Sequence, residues 1–202
     1  LTIGVVPTAV AFAARASNML RKTHPGLTVE IRSASSDQIQ LDLASHRVDV
    51  GISYLKRATG STIHAQHLYD EKYVLVASRQ LVDATRADIS WREAGDIPLC
   101  LLSTDMNNRR VVDQVFADIG VTPIVAMETN AFLAALVQVS AGLAGTIAPE
   151  LLVQNVQLPS DLVVLPLVGP DVSEPIALIT AAGSPEVATI IEAITVCRAL
   201  AR

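Results

Sequence analysis

The stretch from Thr23 to Ser53, THPGLTVEIRSASSDQIQLDLASHRVDVGIS, decides the fold. His24-Pro25-Gly26 stops a preceding helix, because proline cannot continue it and glycine accepts the turn that follows. Leu27 to Arg32 then alternates apolar and polar residues, the period of a half-buried strand. Ser36 or Asp37 is placed to cap a helix whose apolar positions are Ile39, Leu41, Leu43 and Ala44. Val48 to Ser53 reads as the next strand. Upstream, Leu1 to Val6 is a short apolar strand, and Pro7-Thr8 open a helix reaching about Thr23. Proline is favoured there because its missing N–H would be unpaired at a helix start. The order β-α-β-α-β predicts a parallel sheet with helices on both faces.

The pattern then starts again. Ala58 to Gln66 reads as a loop and Tyr73 to Ala77 as a strand. Ile97 to Leu102 is a strand, Ser103-Thr104-Asp105 a polar turn, and the next helix puts Val111, Val112, Val115, Phe116 and Ile119 on one face. Ile124 to Met127 is a strand, Glu128-Thr129-Asn130 a polar turn, and Phe132 to Ala141 a helix closed by Gly142. Thr146 to Ala148, Leu162 to Leu167 and Ile176 to Thr180 are strands. Pro185 to Arg202 is a last helix with Val187, Ile190, Ile191 and Ile194 inward. The expected fold is α/β: two Rossmann-like parallel-sheet lobes joined by two crossover strands. Lobe I takes residues 1–76 plus 176–202, and lobe II takes 77–175.

Composition narrows the function. Of the 202 residues, 50% are hydrophobic but only 3% are aromatic, so the core is built from Ala, Val, Leu and Ile. Base-stacking platforms need exposed rings, and few are available. The net charge is −5, and the densest basic spot, Asn107-Asn108-Arg109-Arg110, is too small to grip a duplex. Nucleic-acid binding by this chain alone is not expected. Cys100 and Cys197 lie far apart with no metal or redox spacing, which suits reduced, buried thiols in a cytosolic protein. The apolar run Ala131 to Pro149 carries Gln138, Ser140, Gly142 and Gly145 and ends at proline, so it fits a helix running into a strand better than a membrane span. The chain opens directly in a strand, as a fragment would.

In sheets of this kind ligands sit beyond the carboxyl ends of the strands, at helix N-termini. Four turns hold that position: Pro7-Thr8-Ala9, Ser35-Ser36-Asp37, Ser103-Thr104-Asp105 and Glu128-Thr129-Asn130. Helix starts favour anions, so such turns suit a small carboxylate or inorganic anion without Lys or Arg. Each turn alone is better explained as a helix cap. Four on one side of two sheets favour some ligand contact, and Thr104 is included as a candidate on that placement.

Catalysis finds less support. His64 and His67 lie three apart without a carboxylate at a metal-site spacing. No Gly-x-Ser-x-Gly elbow occurs, and Gly142-Leu143-Ala144-Gly145 follows a helix instead of opening one, so it is not a phosphate loop. Asp49 reads as a structural carboxylate. No catalytic residue, metal or cofactor is expected.

Several segments, in this order, carry a family resemblance: LTIGVVPT, HPGLTVEI, QIQLDLASHRVDVGIS, HLYDEKYVLVAS, NNRRVVDQVFADIGVTPIVAMETN and VSAGLAGTIAP. Over essentially its full length the chain resembles the effector-binding domain of LysR-type transcriptional regulators. The resemblance implies a fold like type 2 periplasmic binding proteins, with a small effector held between two lobes. It implies a winged helix-turn-helix domain upstream, head-to-tail dimers of this domain, tetramers of the whole bacterial regulator, and promoter DNA reached only through that upstream domain. It carries effector contacts to Thr8, Ala9, Ser35, Ser36, Thr129, Asn130 and Phe132. IPLCLLSTDMNNRRVVD looks most like regulators of cyanate use and those beside formate dehydrogenase operons, which would fit a very small anion. The family turn that often reads Gly-Leu-Gly-Ile is Gly-Leu-Ala-Gly-Thr here, a departure at Gly145 and Thr146.

Two other readings share the fold class. A periplasmic solute-binding protein feeding a transporter would carry a signal peptide, and an enzyme would turn over a candidate metabolite. A cytoplasmic regulator domain is the reading the Val-Asp-Val-Gly-Ile segment favours.

Overall fold

The computed structural model describes residues 1–58, 62–183 and 187–201. In chain order the elements are β1 (Thr2–Val5), α1 (Val10–Thr23), β2 (Glu30–Ser33), α2 (Ser36–Ala44), β3 (Val50–Tyr54), β4 (Ile63–Ser78), β5 (Ile89–Ser90), α3 (Trp91–Gly95), β6 (Leu99–Leu102) and α4 (Asn107–Asp118). They continue with β7 (Val125–Thr129), α5 (Phe132–Ser140), β8 (Thr146–Pro149), α6 (Glu150–Gln154), β9 (Leu162–Val168), β10 (Ser173–Ala181) and α7 (Ala188–Leu200). Short 3-10 turns cover Pro7–Ala9 and Leu55–Arg57. Two compact units result. Unit 1 holds Leu1–Glu71 and Glu174–Arg202; unit 2 holds Lys72–Ser173.

Unit 1 is a sheet in the order β2-β1-β3-β10-β4. β1 pairs parallel with β2 and β3, as the β-α-β-α-β pattern predicts, while β10 joins β3 antiparallel. Every residue of β3 is buried, and Gly51 at its centre is there for space. A Cβ at Gly51 would lie 2.5 Å from Ile179 Cγ1 and 2.8 Å from Ile39 Cγ2, too close for any real contact. Asp49 is the structural carboxylate expected: its Oδ2 accepts the Thr2 N–H at 2.7 Å and pins the start of β1. In α1 the buried stripe is Phe12, Ala13, Ala16 and Leu20, the spacing of one helical face.

Several expectations in unit 1 change. Of the apolar positions read for α2, Ile39 and Leu43 are buried, whereas Leu41 is 61% exposed and Ala44 is exposed, because a short helix lying on a sheet turns only one narrow stripe inward. The predicted loop 58–66 is strand from Ile63 onward, and residues 59–61 lie outside the described residues. Its polar alternation hides a strand of 16 residues. Val187, which precedes α7, and Ile191 within it are exposed at 42% and 48%, and the buried residues of the helix are Ala193, Val196 and Cys197. β-branched residues occupy several faces of that helix, so bulk does not mark the inward stripe. Small residues do: Ala193 and Cys197, four apart, face inward where α7 packs on α1. Pro185, in the predicted helix start, lies outside the described residues.

Unit 2 pairs β6 with β7 in parallel. The later part of β4 pairs antiparallel with β8 and β9, and β5 joins β9 in parallel. The core centres on Trp91, whose ring meets Phe116 edge-on at 5.6 Å, with Leu75, Leu99, Leu101, Val112 and Ile147 around it. Two helices, α3 and α6, are absent from the sequence reading; each has 5 residues, too few to show a helical period. Gly142 turns α5 toward β8 at φ +73°, a conformation that favours glycine. Cys100 and Cys197 are both buried free thiols. Among the described residues no helix is long and apolar enough to cross a membrane.

Candidate ligand-binding site

In unit 1 the chain leaves β1 into the 3-10 turn that holds Thr8, which is buried. Thr8 Oγ1 lies 3.0 Å from the hydroxyl of Tyr54, the last residue of β3. Tyr54 in turn donates to Glu71 Oε1 at 3.0 Å. Glu71 is only 2% exposed, so a carboxylate stands inside the unit at the end of this chain of hydroxyls. Its field reaches a neighbour: burial, and then the Glu71 charge, push the Tyr69 hydroxyl upward. Ala9 is fully buried and its N–H is already bonded to Val6 O at 2.9 Å, so it offers a ligand no free donor.

At the turn after β2 the cap is Ser35, not Ser36 or Asp37. Ser35 Oγ accepts the Gln38 N–H at 3.3 Å. Asp37 instead pairs with Arg57 at 2.8 Å. Ser36, the first helical residue, is 5% exposed, and its hydroxyl has no hydrogen-bond partner. Ser53, beside Tyr54 in β3, is buried in the same condition. Tyr69 carries a third such hydroxyl in this unit, but only Ser36 stands at a helix start. Leaving a buried hydroxyl unpaired costs about 1–3 kcal/mol, so Ser36 marks a place that expects another partner.

Unit 2 is built differently. Met106 precedes α4 without capping it, so the Ser103-Thr104-Asp105 turn does not satisfy the helix start. Thr104 is exposed. Asn108, 3% exposed, has an Nδ2 with no partner. Beside it Arg109 is buried, its Nε donating to Asp113 Oδ1 at 2.8 Å and its Nη1 to Leu102 O at 2.9 Å and Glu128 Oε1 at 2.6 Å. Burial alone pulls its guanidinium down, but the bonds to Asp113 and Glu128 outweigh that and raise it. Thr129 Oγ1 accepts the Ala131 N–H at 3.2 Å, and Asn130 is exposed. α5 also starts without a side-chain cap. Phe132 is packed in the unit's core with Leu102, Val139 and Leu162.

So only one of the four polar turns caps its helix through a side chain. Sequence reasoning names Thr8 and Ser36 but misses Tyr54, Glu71, Ser53, Asn108 and Arg109. A signal exists for one: Glu71 lies two residues before Tyr73, in step with the buried Tyr73, Leu75 and Ala77 of the apolar stretch that follows. The histidine pair carries no metal chemistry. His64 and His67 lie on β4, where residues three apart face opposite sides, and His67 bonds Asp70 at 3.0 Å. Among the described residues no group of ligating side chains could hold a metal. An open recess of about 470 Å³ runs along α2 past Gln40 and Leu41 to Lys56 and Arg57. Its cations are paired with Glu174 and Asp37, so it offers little free charge.

Comparison with known proteins places this arrangement. The family model described as LysR substrate binding domain matches residues 1–202. A search of curated protein sequences returns no match. Among solved structures, the regulatory domain of CcmR from Synechocystis PCC6803 in complex with 2-PG aligns at TM-score 0.84 and 17% identity, covering 100% of this chain and 97% of that one. The BenM effector binding domain with its effector benzoate aligns at 0.80 and 21%, covering 99% and 90%. Full-length CbnR complexed with target DNA aligns at 0.81 and 19%, covering 100% and 68%. At these identities the likeness is one of fold, and membership rests on the family model. The chain belongs to the LysR substrate binding domain family.

Proposed function

We propose that this domain senses a small anionic effector through the polar strand ends of its units, and so modulates DNA binding by a cytoplasmic LysR-type regulator. Thr8, Ser35 and Ser36 are the unit 1 contacts; Thr104, Thr129 and Asn130 are the unit 2 candidates. Ala9 and Phe132 shape the site through packing instead of polar contact. The observation that carries the reading is Ser36, a buried hydroxyl without a partner at the first turn of α2. That turn favours negative charge, and Ser35 has satisfied only one of its N–H groups. Benzoate, a carboxylate, is the effector of BenM, which shares the fold. The DNA-binding part lies upstream, and head-to-tail pairing of this domain is the expected assembly. Binding without turnover is the function proposed, in keeping with the family to which the chain belongs.

A thermal-shift screen against small carboxylates and anions, cyanate and formate included, tests this at constant salt. A ligand selective for the native state must raise the melting temperature with dose. Thr8→Val and Ser36→Ala should each lose a hydrogen bond worth roughly 0.5–1.5 kcal/mol of binding while leaving the fold near intact. Unchanged binding in both variants refutes the placement.

A further inference from the structure

The hydrogen bonds at Thr8 have a direction, and the direction constrains the ligand. Tyr54 has a single phenolic proton, and it is given to Glu71 Oε1. With Glu71 ionised, the 3.0 Å contact between Tyr54 and Thr8 is made by the Thr8 proton. Thr8 keeps its lone pairs and has no proton left for a ligand. The buried carboxylate of Glu71 thus turns a residue that could donate or accept into one that only accepts. A bare anion gains nothing from such an oxygen; it is repelled by the lone pairs. The start of α2, with the Ser36 hydroxyl and unspent N–H groups, offers the opposite chemistry in the same unit.

We infer that Glu71, acting through Tyr54, is a specificity-determining positioning residue that makes Thr8 an acceptor, so that the effector is a small carboxylate also carrying an O–H or N–H donor. This rests on the placement of the effector at Thr8 and Ser36. It replaces the bare small anion suggested by the sequence with a hydroxy or amino acid. The carboxylate goes to the α2 start and the donor goes to Thr8.

Matched pairs of carboxylates test the inference on the 202-residue chain: lactate and pyruvate, 2-hydroxyglutarate and 2-oxoglutarate, 4-hydroxybenzoate and 4-methoxybenzoate. Each pair differs at one group, a donor in the first member and an acceptor only in the second. Titration calorimetry should show the donor-bearing member of a binding pair held at least about tenfold tighter, since the wrong partner leaves an acceptor facing an acceptor. Tyr54→Phe releases the Thr8 proton for the ligand, so the preference collapses or reverses. Glu71→Gln can present either end of its carboxamide to Tyr54, so it narrows the preference and provides a second variant if the first folds poorly. Circular dichroism confirms the fold of each. A merely structural role for Glu71 changes affinity for both members of a pair equally and overturns the inference. An acceptor-only member bound as tightly as its partner overturns it too, as does binding by none of the six compounds. If a compound binds equally well to wild type, Thr8→Val and Ser36→Ala, the site itself is misplaced, which is a failure of the underlying reading and distinct from these.

Discussion

The two units solve the same problem with opposite charges. Each ends its parallel strands in polar turns, and each, among the described residues, buries one ionic group. Unit 1 buries an acid: Glu71 lies behind Tyr54 and Thr8. Unit 2 buries a base: Arg109 gathers the end of β6 at Leu102, the end of β7 at Glu128, and Asp113 one turn along α4. The consequences differ. Unit 1 shows buried hydroxyls at Ser36 and Ser53 that await a partner, whereas the threonines of unit 2's polar turns are exposed or already bonded to the backbone. The unit 1 ion acts on a hydroxyl relay, and the unit 2 ion acts on the scaffold.

If that division is right, removing Arg109 should be more damaging than any other single change proposed below, and its damage should be local. Arg109→Ala leaves the Leu102 carbonyl unpaired and takes the common partner from two carboxylates. Because Asp113 and Glu128 are about half exposed, the loss should be about 2–4 kcal/mol, near the lower range for breaking a buried pair. Trp91 is the single tryptophan, buried in the unit 2 core, so its fluorescence reports that unit. The denaturant midpoint read by Trp91 should fall. An unchanged fluorescence midpoint breaks the comparison.

The converse experiment belongs in unit 1. Gly51→Ala forces a Cβ against Ile179 and Ile39, and overpacking of this kind costs about 1–3 kcal/mol. Far-UV circular dichroism, which reports both units, should shift. The Trp91 transition should move less than it does for Arg109→Ala. Equal shifts in both signals for both variants would mean that the units unfold as one body.

What can be read from sequence follows the same line. The parallel strands β1, β2, β3, β6 and β7 are visible because hydrophobic alternation and turn residues are local signals. The first part of β4 is not: Ile63 to Gln66 closes a stretch that reads as loop, and only pairing across the sheet makes it strand. The inward face of α7 is hidden because packing there depends on how small Ala193 and Cys197 are, a property of the partner surface. Thr8 and Ser36 are legible as polar residues at strand ends. What they do is not, since the Tyr54–Glu71 relay joins residues 17 apart in sequence through the fold.

Helix starts sharpen the contrast on a smaller scale. Ser35 satisfies one N–H of α2, whereas Ser90 and Glu93 close the start of α3 with a reciprocal capping box. Ser35→Ala should cost about 1 kcal/mol, by the loss of a neutral cap, with little dependence on pH in denaturation experiments. A strong pH dependence of that loss would point to a charged partner for Ser35 instead.

Glu93→Gln should show the opposite behaviour. Its carboxyl is held down to about 2, first by the Arg86 guanidinium and then by the bonds to Ser90. A folded-state value below the ordinary 4.5 means that ionised Glu93 stabilises the native state, fully above the ordinary value. As pH falls from about 4.5 toward 2, native Glu93 stays charged while the unfolded chain takes up the proton, and the contribution drains away. The variant should therefore unfold at lower denaturant than wild type near neutral pH, with the gap shrinking across that acid window. Glu93 is exposed, so the gap is smaller than for Arg109, Gly51 or Ser35 and is screened by salt. Trp91, close by in α3, is the natural reporter. A gap that stays constant from neutral pH to about pH 3, inside that window, would leave the capping box as a matter of geometry alone and remove charge from the account of how α3 begins.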